Sequence, residues 1–202
     1  ARRRLHGLQI LSFEQLAARM AGGFTRPVDD ESLRSAIQVA LPETALGELD
    51  GIKLLPGMVD AAADTLNKVW RSGIDLAVRS HEHPRLDSIA RLEAAVQEQL
   101  PPGMMRPADL VSAALKRLVH APAVLGSVEI VGITELSPSW RPHLSALAAH
   151  VPVTWVAGPR PVPEWLAATN VEVLRSDAQR PAQHMVSAAT SFGIFVTLDA
   201  MY

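Results

Sequence analysis

The 202-residue chain contains no cysteine. Disulfides, thiolate nucleophiles and thiolate metal sites are thereby excluded, and the absence fits a reducing compartment. No apolar run approaches the ~18 residues of a membrane span, and no secretory signal pattern is present. Neither sign of charge is in excess: 19 Lys and Arg against 21 Asp and Glu leave a net charge of −2. The chain as a whole is therefore not an electrostatic nucleic-acid binder, and any such contact is local. Catalytic signatures are missing as well. Neither G-x-S-x-G nor H-E-x-x-H occurs, and no Ser-His-Asp set has a supporting local motif. G-x-x-x-x-G-K-S/T and G-x-G-x-x-G are absent too. The Gly22-Gly23 pair reads as a helix stop, because no Lys follows it and no helix opens after it.

What is present is a globular composition, 48% apolar, which argues against long-range disorder. The length suffices for one core, or one core plus a helical subdomain. The organising stretch is Val128 to Gly158. Two short runs rich in Val and Ile flank a helical segment from Trp140 to His150, the proportions of a βαβ unit in a sheet buried on both faces. Ser137-Pro138 reads as the helix start, a hydroxyl cap followed by a residue already fixed at helical φ. The expected fold class is α/β.

Other segments extend that frame. Leu8 to Leu11 is a short strand, and Ser12 to Gln15 has the form of a capping box for a helix carrying Phe13, Leu16, Ala17 and Met20 on one face. From Asp29 onward the pattern is helix and loop. Leu33, Ile37, Ala40 and Leu41 share a face, and Pro42 to Gly57 reads as loop. A wide stripe from Val59 to Ala77 is expected to end at His81-Glu82-His83-Pro84. Leu86 to Leu100 marks a further helix, and Pro107 opens another. Glu164 to Ala168 reads as a short helix, Val171 to Leu174 as an edge strand, and Gly193 to Leu198 as a last strand or a terminal tail. The expected domains are an α/β core of residues 1–28 and 121–202 and a helical insertion of residues 29–120.

Each candidate for chemistry has a plainer alternative. His81-Glu82-His83 invites a metal, yet ligands two apart converge on neither a strand nor a helix, and a solvated helix end explains them equally. Asp29-Asp30-Glu31 is either a hard-cation cluster or a helix start whose acids favour the dipole. Arg2, Arg3 and Arg4 could meet phosphate or form ordinary surface. Trp140, Trp155 and Trp165 could stack on bases, although each sits at a core-like position. No cofactor is implied.

Several segments taken together resemble superfamily I helicases. Leu8 to Met20 looks like the strand-to-helix segment that usually reads T-F-H. Val128 to Ile133 looks like the Walker B strand, with Gly132-Ile133-Thr134-Glu135-Leu136 where active members carry D-E-x-Q-D. Trp155 to Pro159 falls where V-G-D-x-x-Q would stand. The combination is similar to the AddB-type subunit of the AddAB helicase–nuclease, whose amino-terminal half is a helicase-like module that has lost helicase motifs. The likeness spans Leu8 to Val186.

That resemblance implies a parallel P-loop-NTPase-like sheet lacking its first strand and phosphate loop, with a large all-helical insertion. It further implies a fragment of a bacterial, cytoplasmic DNA double-strand-break processing machine, catalytically inactive, serving as scaffold and DNA guide. An AddA-type partner subunit and single-stranded DNA are the implied partners, with Arg2, Arg3, Arg4, Ser12 and Phe13 as contact candidates. Gly132, Ile133 and Glu135 occupy the degenerate Walker B-like positions. Gly132 and Ile133 replace the acids that orient Mg²⁺ and activate water, while Pro159 and Val162 stand where a sensing Asp and Gln are expected. A rival expectation is a small hydrolase or transferase with a dispersed site drawn from Glu135, Asp177 and His184. A second rival is an interaction module without DNA contact.

Overall fold

In the computed structural model, which describes residues 8–158 and 161–175 and the backbone alone of 193–197, the capping box forms as the sequence predicts. The Gln15 amide donates to the Ser12 hydroxyl at 3.2 Å, and the Ser12 amide donates back to the Gln15 side chain at 2.9 Å. This joins strand β1 (Leu8–Leu11) to helix α1 (Phe13–Ala21). Gly22 ends α1 at φ 71°, its N–H reaching the Ala18 carbonyl at 3.1 Å. The positive φ favours glycine there, and a Cβ would displace the Arg117 guanidinium, which lies 3.0 Å from its position.

The elements that follow are β2 (Arg26–Pro27), α2 (Asp30–Glu43), α3 (Met58–Ser72), α4 (Leu76–Arg79), α5 (Pro84–Gln99) and β3 (Met104–Met105). Then come α6 (Pro107–Leu115), α7 (Ala121–Val124), β4 (Ser127–Val131), α8 (Arg141–Leu147), β5 (Val153–Ala157), β6 (Glu172–Arg175) and β7 (Gly193–Thr197). The fold is α/β. It comprises two compact units, one of Ala1–Gly23, Val111–Leu136 and Trp140–Tyr202, the other of Phe24–Leu110 and Ser137–Ser139.

The first unit holds a five-stranded sheet in the order β1-β7-β4-β5-β6. Strands β4, β5 and β6 pair in parallel, as expected. The wholly parallel sheet is corrected, because β7 lies between β1 and β4 and runs antiparallel to both. An antiparallel neighbour needs no crossover helix, and the apolar run Ile194-Phe195-Val196 suits an interior strand. Strands β1, β4, β5 and β6 consequently all point the same way. Val128 and Ile130 are buried on β4, Val153 and Trp155 on β5, and Leu144 and Leu147 on α8. Burying each such side chain contributes about 2 kcal/mol. The helix between β4 and β5 starts differently from expectation: a 3-10 turn spans Pro138–Trp140, and the α-helix begins at Arg141 with Pro142 in its first turn. Each proline sits where a missing N–H costs no bond.

The second unit is helical around a core that includes Leu33, Ile37, Leu66, Trp70, Leu92 and Val96. Two expectations are corrected here. Helix α2 runs through Pro42 to Glu43, with the Thr44 amide still reaching the Ala40 carbonyl at 3.1 Å, so one proline near a helix end forfeits a bond without stopping the chain. Helix α3 stops at Ser72, before Ala77, because Gly73 takes the left-handed conformation at φ 71°. Asp75 then caps α4. A two-residue parallel clip pairs β2 with β3.

One polar network lies inside this unit. The buried Glu93 carboxylate accepts from Trp70 Nε1 at 2.6 Å and from Arg106 Nη1 at 2.7 Å, and Arg106 also donates to Asp109 at 2.9 Å. Arg106 is held charged more firmly than usual, as its bonds to Asp109 and Glu93 outweigh its desolvation. Truncating Glu93 leaves the indole N–H without its acceptor and the part-buried Arg106 guanidinium with Asp109 as its remaining carboxylate. Glu93→Ala is expected to cost about 3 kcal/mol in urea unfolding, against about 1 for Trp70→Phe. Equal and small losses would show that the network stabilises nothing.

Candidate functional site

Because β1, β4, β5 and β6 share one direction, their carboxyl ends lie along one edge of the sheet. In open α/β sheets that edge is where ligands bind. Ser12, Gly132, Gly158 and Arg175 stand at or next to it. Gly132 follows the last residue of β4 directly and has φ 76°, so the turn that begins there is built for glycine.

The turn delivers Glu135 to a cluster of charged and aromatic groups. Its Oε1 accepts from the Leu136 amide at 3.1 Å, from Arg141 Nη2 at 3.0 Å and from Trp165 Nε1 at 3.1 Å. Arg141, at the start of α8, also donates from Nε to the Leu136 carbonyl at 3.0 Å, and its guanidinium lies 5.3 Å from the Trp165 ring centre. Trp165 in turn meets Trp155 edge to face, with centroids 5.9 Å apart and planes at 85°. One carboxylate oxygen thus carries three donors, and its charge is answered by one guanidinium. These bonds orient the carboxylate at the sheet edge, where 59% of its side-chain surface remains in solvent.

Gly132 supplies no side chain at the strand tip and Ile133 supplies only hydrocarbon, so neither offers a side-chain ligand to a metal. Among the described residues no group of three or more His, Asp or Glu is placed to hold a metal ion.

The remaining candidates divide clearly. Ser12 is exposed, with its hydroxyl committed to the α1 cap. Phe13 is corrected as a DNA-contact candidate: it is 7% exposed, on the apolar face of α1, and offers no ring face for stacking. Trp140 and Trp155 are buried as expected, but Trp165 is half-exposed with its N–H on Glu135. His83 caps α5, its Nδ1 accepting from the Arg85 amide at 3.1 Å, and Glu82 pairs with Arg79 at 2.6 Å. Asp29 caps α2, and its bonds from Ser32 hold its carboxyl below the usual range. The plainer alternatives therefore account for both of those clusters. Arg2, Arg3, Arg4, Pro159, Asp177 and His184 lie outside the described residues.

Sequence reasoning missed Arg141, which lies six residues from Glu135 across an irregular turn, where no periodicity operates. It also missed His143, which is 0% exposed and has no hydrogen-bond partner on either ring nitrogen. The spacing of Trp140, His143, Leu144 and Leu147 does place His143 on the apolar face of α8. Burial lowers its pKa to about 4.

Comparison with protein-family models, curated proteins and solved structures finds no match to this chain. No helix among the described residues is long and apolar enough to cross a membrane.

His143 makes stability depend on pH. Above its unfolded value of 6.5 the ring is neutral in both states and contributes no slope. Below that, the unfolded chain binds a proton that the folded chain refuses. Stability is then expected to fall by up to about 1.4 kcal/mol per pH unit, until the folded value near 4 is reached. Urea unfolding of wild type and His143→Leu at pH 7, 6 and 5 checks this. The variant is expected to lose that share of the slope; parallel curves would contradict it.

Proposed function

We propose that this chain is a catalytically silent, helicase-like module of an AddB-type subunit, working in a bacterial, cytoplasmic complex that processes DNA double-strand breaks. In this proposal the sheet is a degenerate P-loop-type sheet, the helical unit is its insertion, and the module serves as scaffold for an AddA-type partner and as guide for single-stranded DNA. The observation that carries the reading is the tip of β4. Gly132 and Ile133 stand there without carboxylates, and Glu135, the acid of the turn that follows, is tied to Arg141 and Trp165. Phosphoryl transfer needs a charge-neutralising metal and a positioned water, and neither has a ligand or base at this position. The same ties disfavour a hydrolase built on Glu135. DNA contact falls on Arg2, Arg3, Arg4 and the Ser12 end of the sheet, without Phe13.

Titration of the purified chain with ATP in the presence of Mg²⁺ is expected to give no saturable binding and no hydrolysis. Saturable Mg²⁺-dependent binding would refute the silence. Single-stranded DNA is expected to bind weakly and to be released by salt. Changing Arg2, Arg3 and Arg4 to Ala is expected to flatten the log–log salt slope by about 2, at roughly 0.7 per phosphate contact. No binding at low salt would leave an interaction module without DNA contact and would sink the guide role.

A further inference from the structure

The helical unit contains a cavity of about 170 Å³ framed by α2, α3 and α5. Leu41, Leu46, Leu66 and Leu92, all buried, form its depth, and the half-buried Met58 and Ile89 line its more exposed part. No charged residue lines it. Two hydroxyls reach the wall, and both already donate to backbone carbonyls. Thr65 donates to Ala61 at 2.7 Å, and Ser88 faces Leu46 and Pro84 at 3.1 and 3.0 Å.

A void among aliphatic side chains forfeits dispersion contacts on its lining. Water is a poor filler, because it needs two to four polar partners and this wall offers few. Enclosed apolar cavities of roughly 150 Å³ stay dry and take up benzene, and this one, though open to solvent on one side, is lined by the same kind of hydrocarbon. The segment joining Leu49 to Met58, both of them wall residues, also exposes Ile52, Leu54 and Leu55, with Leu54 73% exposed. An apolar solute therefore meets hydrocarbon on the chain that borders the cavity as well as inside it.

We propose that this cavity is a binding site for a compact apolar molecule about the size of a benzene ring, recognised by shape and dispersion without a hydrogen bond. The site is independent of the helicase-like reading, since none of its residues belongs to the sheet. Benzene is the probe, titrated into the full chain and followed by methyl NMR and thermal unfolding. The expected result is saturable shifts at the Leu41, Leu46, Leu66 and Leu92 methyls together with a raised Tm. Ala62 lines the cavity, so Ala62→Phe is expected to fill it and abolish those shifts while unfolding stays cooperative; Ala62→Leu serves as a gentler filling variant. Three results would overturn the site: no saturable shift up to the solubility limit of benzene, shifts confined to Ile52, Leu54 and Leu55, or undiminished binding in a folded filling variant.

Discussion

Parallel hydrogen bonding between β4 and β5 is the constraint on which the sheet edge depends. Its register sets Val128 opposite Val153 and Val131 opposite Val156. Two strands so paired cannot be joined by a tight turn, and the chain must return the length of the sheet through α8. That return puts Gly132 and Gly158 at the same edge. It also brings together Glu135, Arg141 and Trp165, which span thirty residues of sequence. Trp155 completes the arrangement from within β5. Its buried ring backs the half-exposed Trp165, so the edge cluster rests on the sheet's own core.

The cluster adds little to stability. Glu135 and Arg141 keep 59% and 34% of their side-chain surface in solvent, and such pairs contribute about 0.2–1 kcal/mol, with a comparable amount from the cation–π contact. Leu16, Ile130, Leu144, Leu147 and Trp155, all at or near full burial, carry the energetics of this unit. What the cluster fixes is orientation: three donors hold Glu135 Oε1 beside Arg141 and Trp165. The helical unit differs: there the buried Glu93 carboxylate, bonded to Trp70 and Arg106, adds to the stability that aliphatic packing supplies.

Local rules were legible where they act over one turn. The capping box at Ser12 and Gln15, the apolar face of α1, the strands flanking α8 and the acids opening α2 could all be read from spacing. Competition between neighbouring signals was harder to read. Pro42 looked like a stop but lies within the last turn of α2, while Gly73 looked unremarkable inside an apolar stripe and ends α3. The wholly parallel sheet was what the helicase resemblance implied, and β7 shows where that fails: a short run such as Ile194-Phe195-Val196 carries no mark of which way it runs. At the site, Glu135 and the bare tip at Gly132 and Ile133 were visible. Arg141 was not, nor was the bond from Trp165 to Glu135, because pairs made across a sheet edge leave no periodic trace.

On the proposed reading, the tip of β4 carries no side-chain ligand for a divalent cation at Gly132 or Ile133. Titration with Mn²⁺, read as paramagnetic broadening of backbone amide signals, tests this most directly. The prediction is that the amides of Gly132 to Leu136 keep their intensity at millimolar Mn²⁺. Saturable broadening centred on Gly132, Ile133 and Glu135 would contradict it.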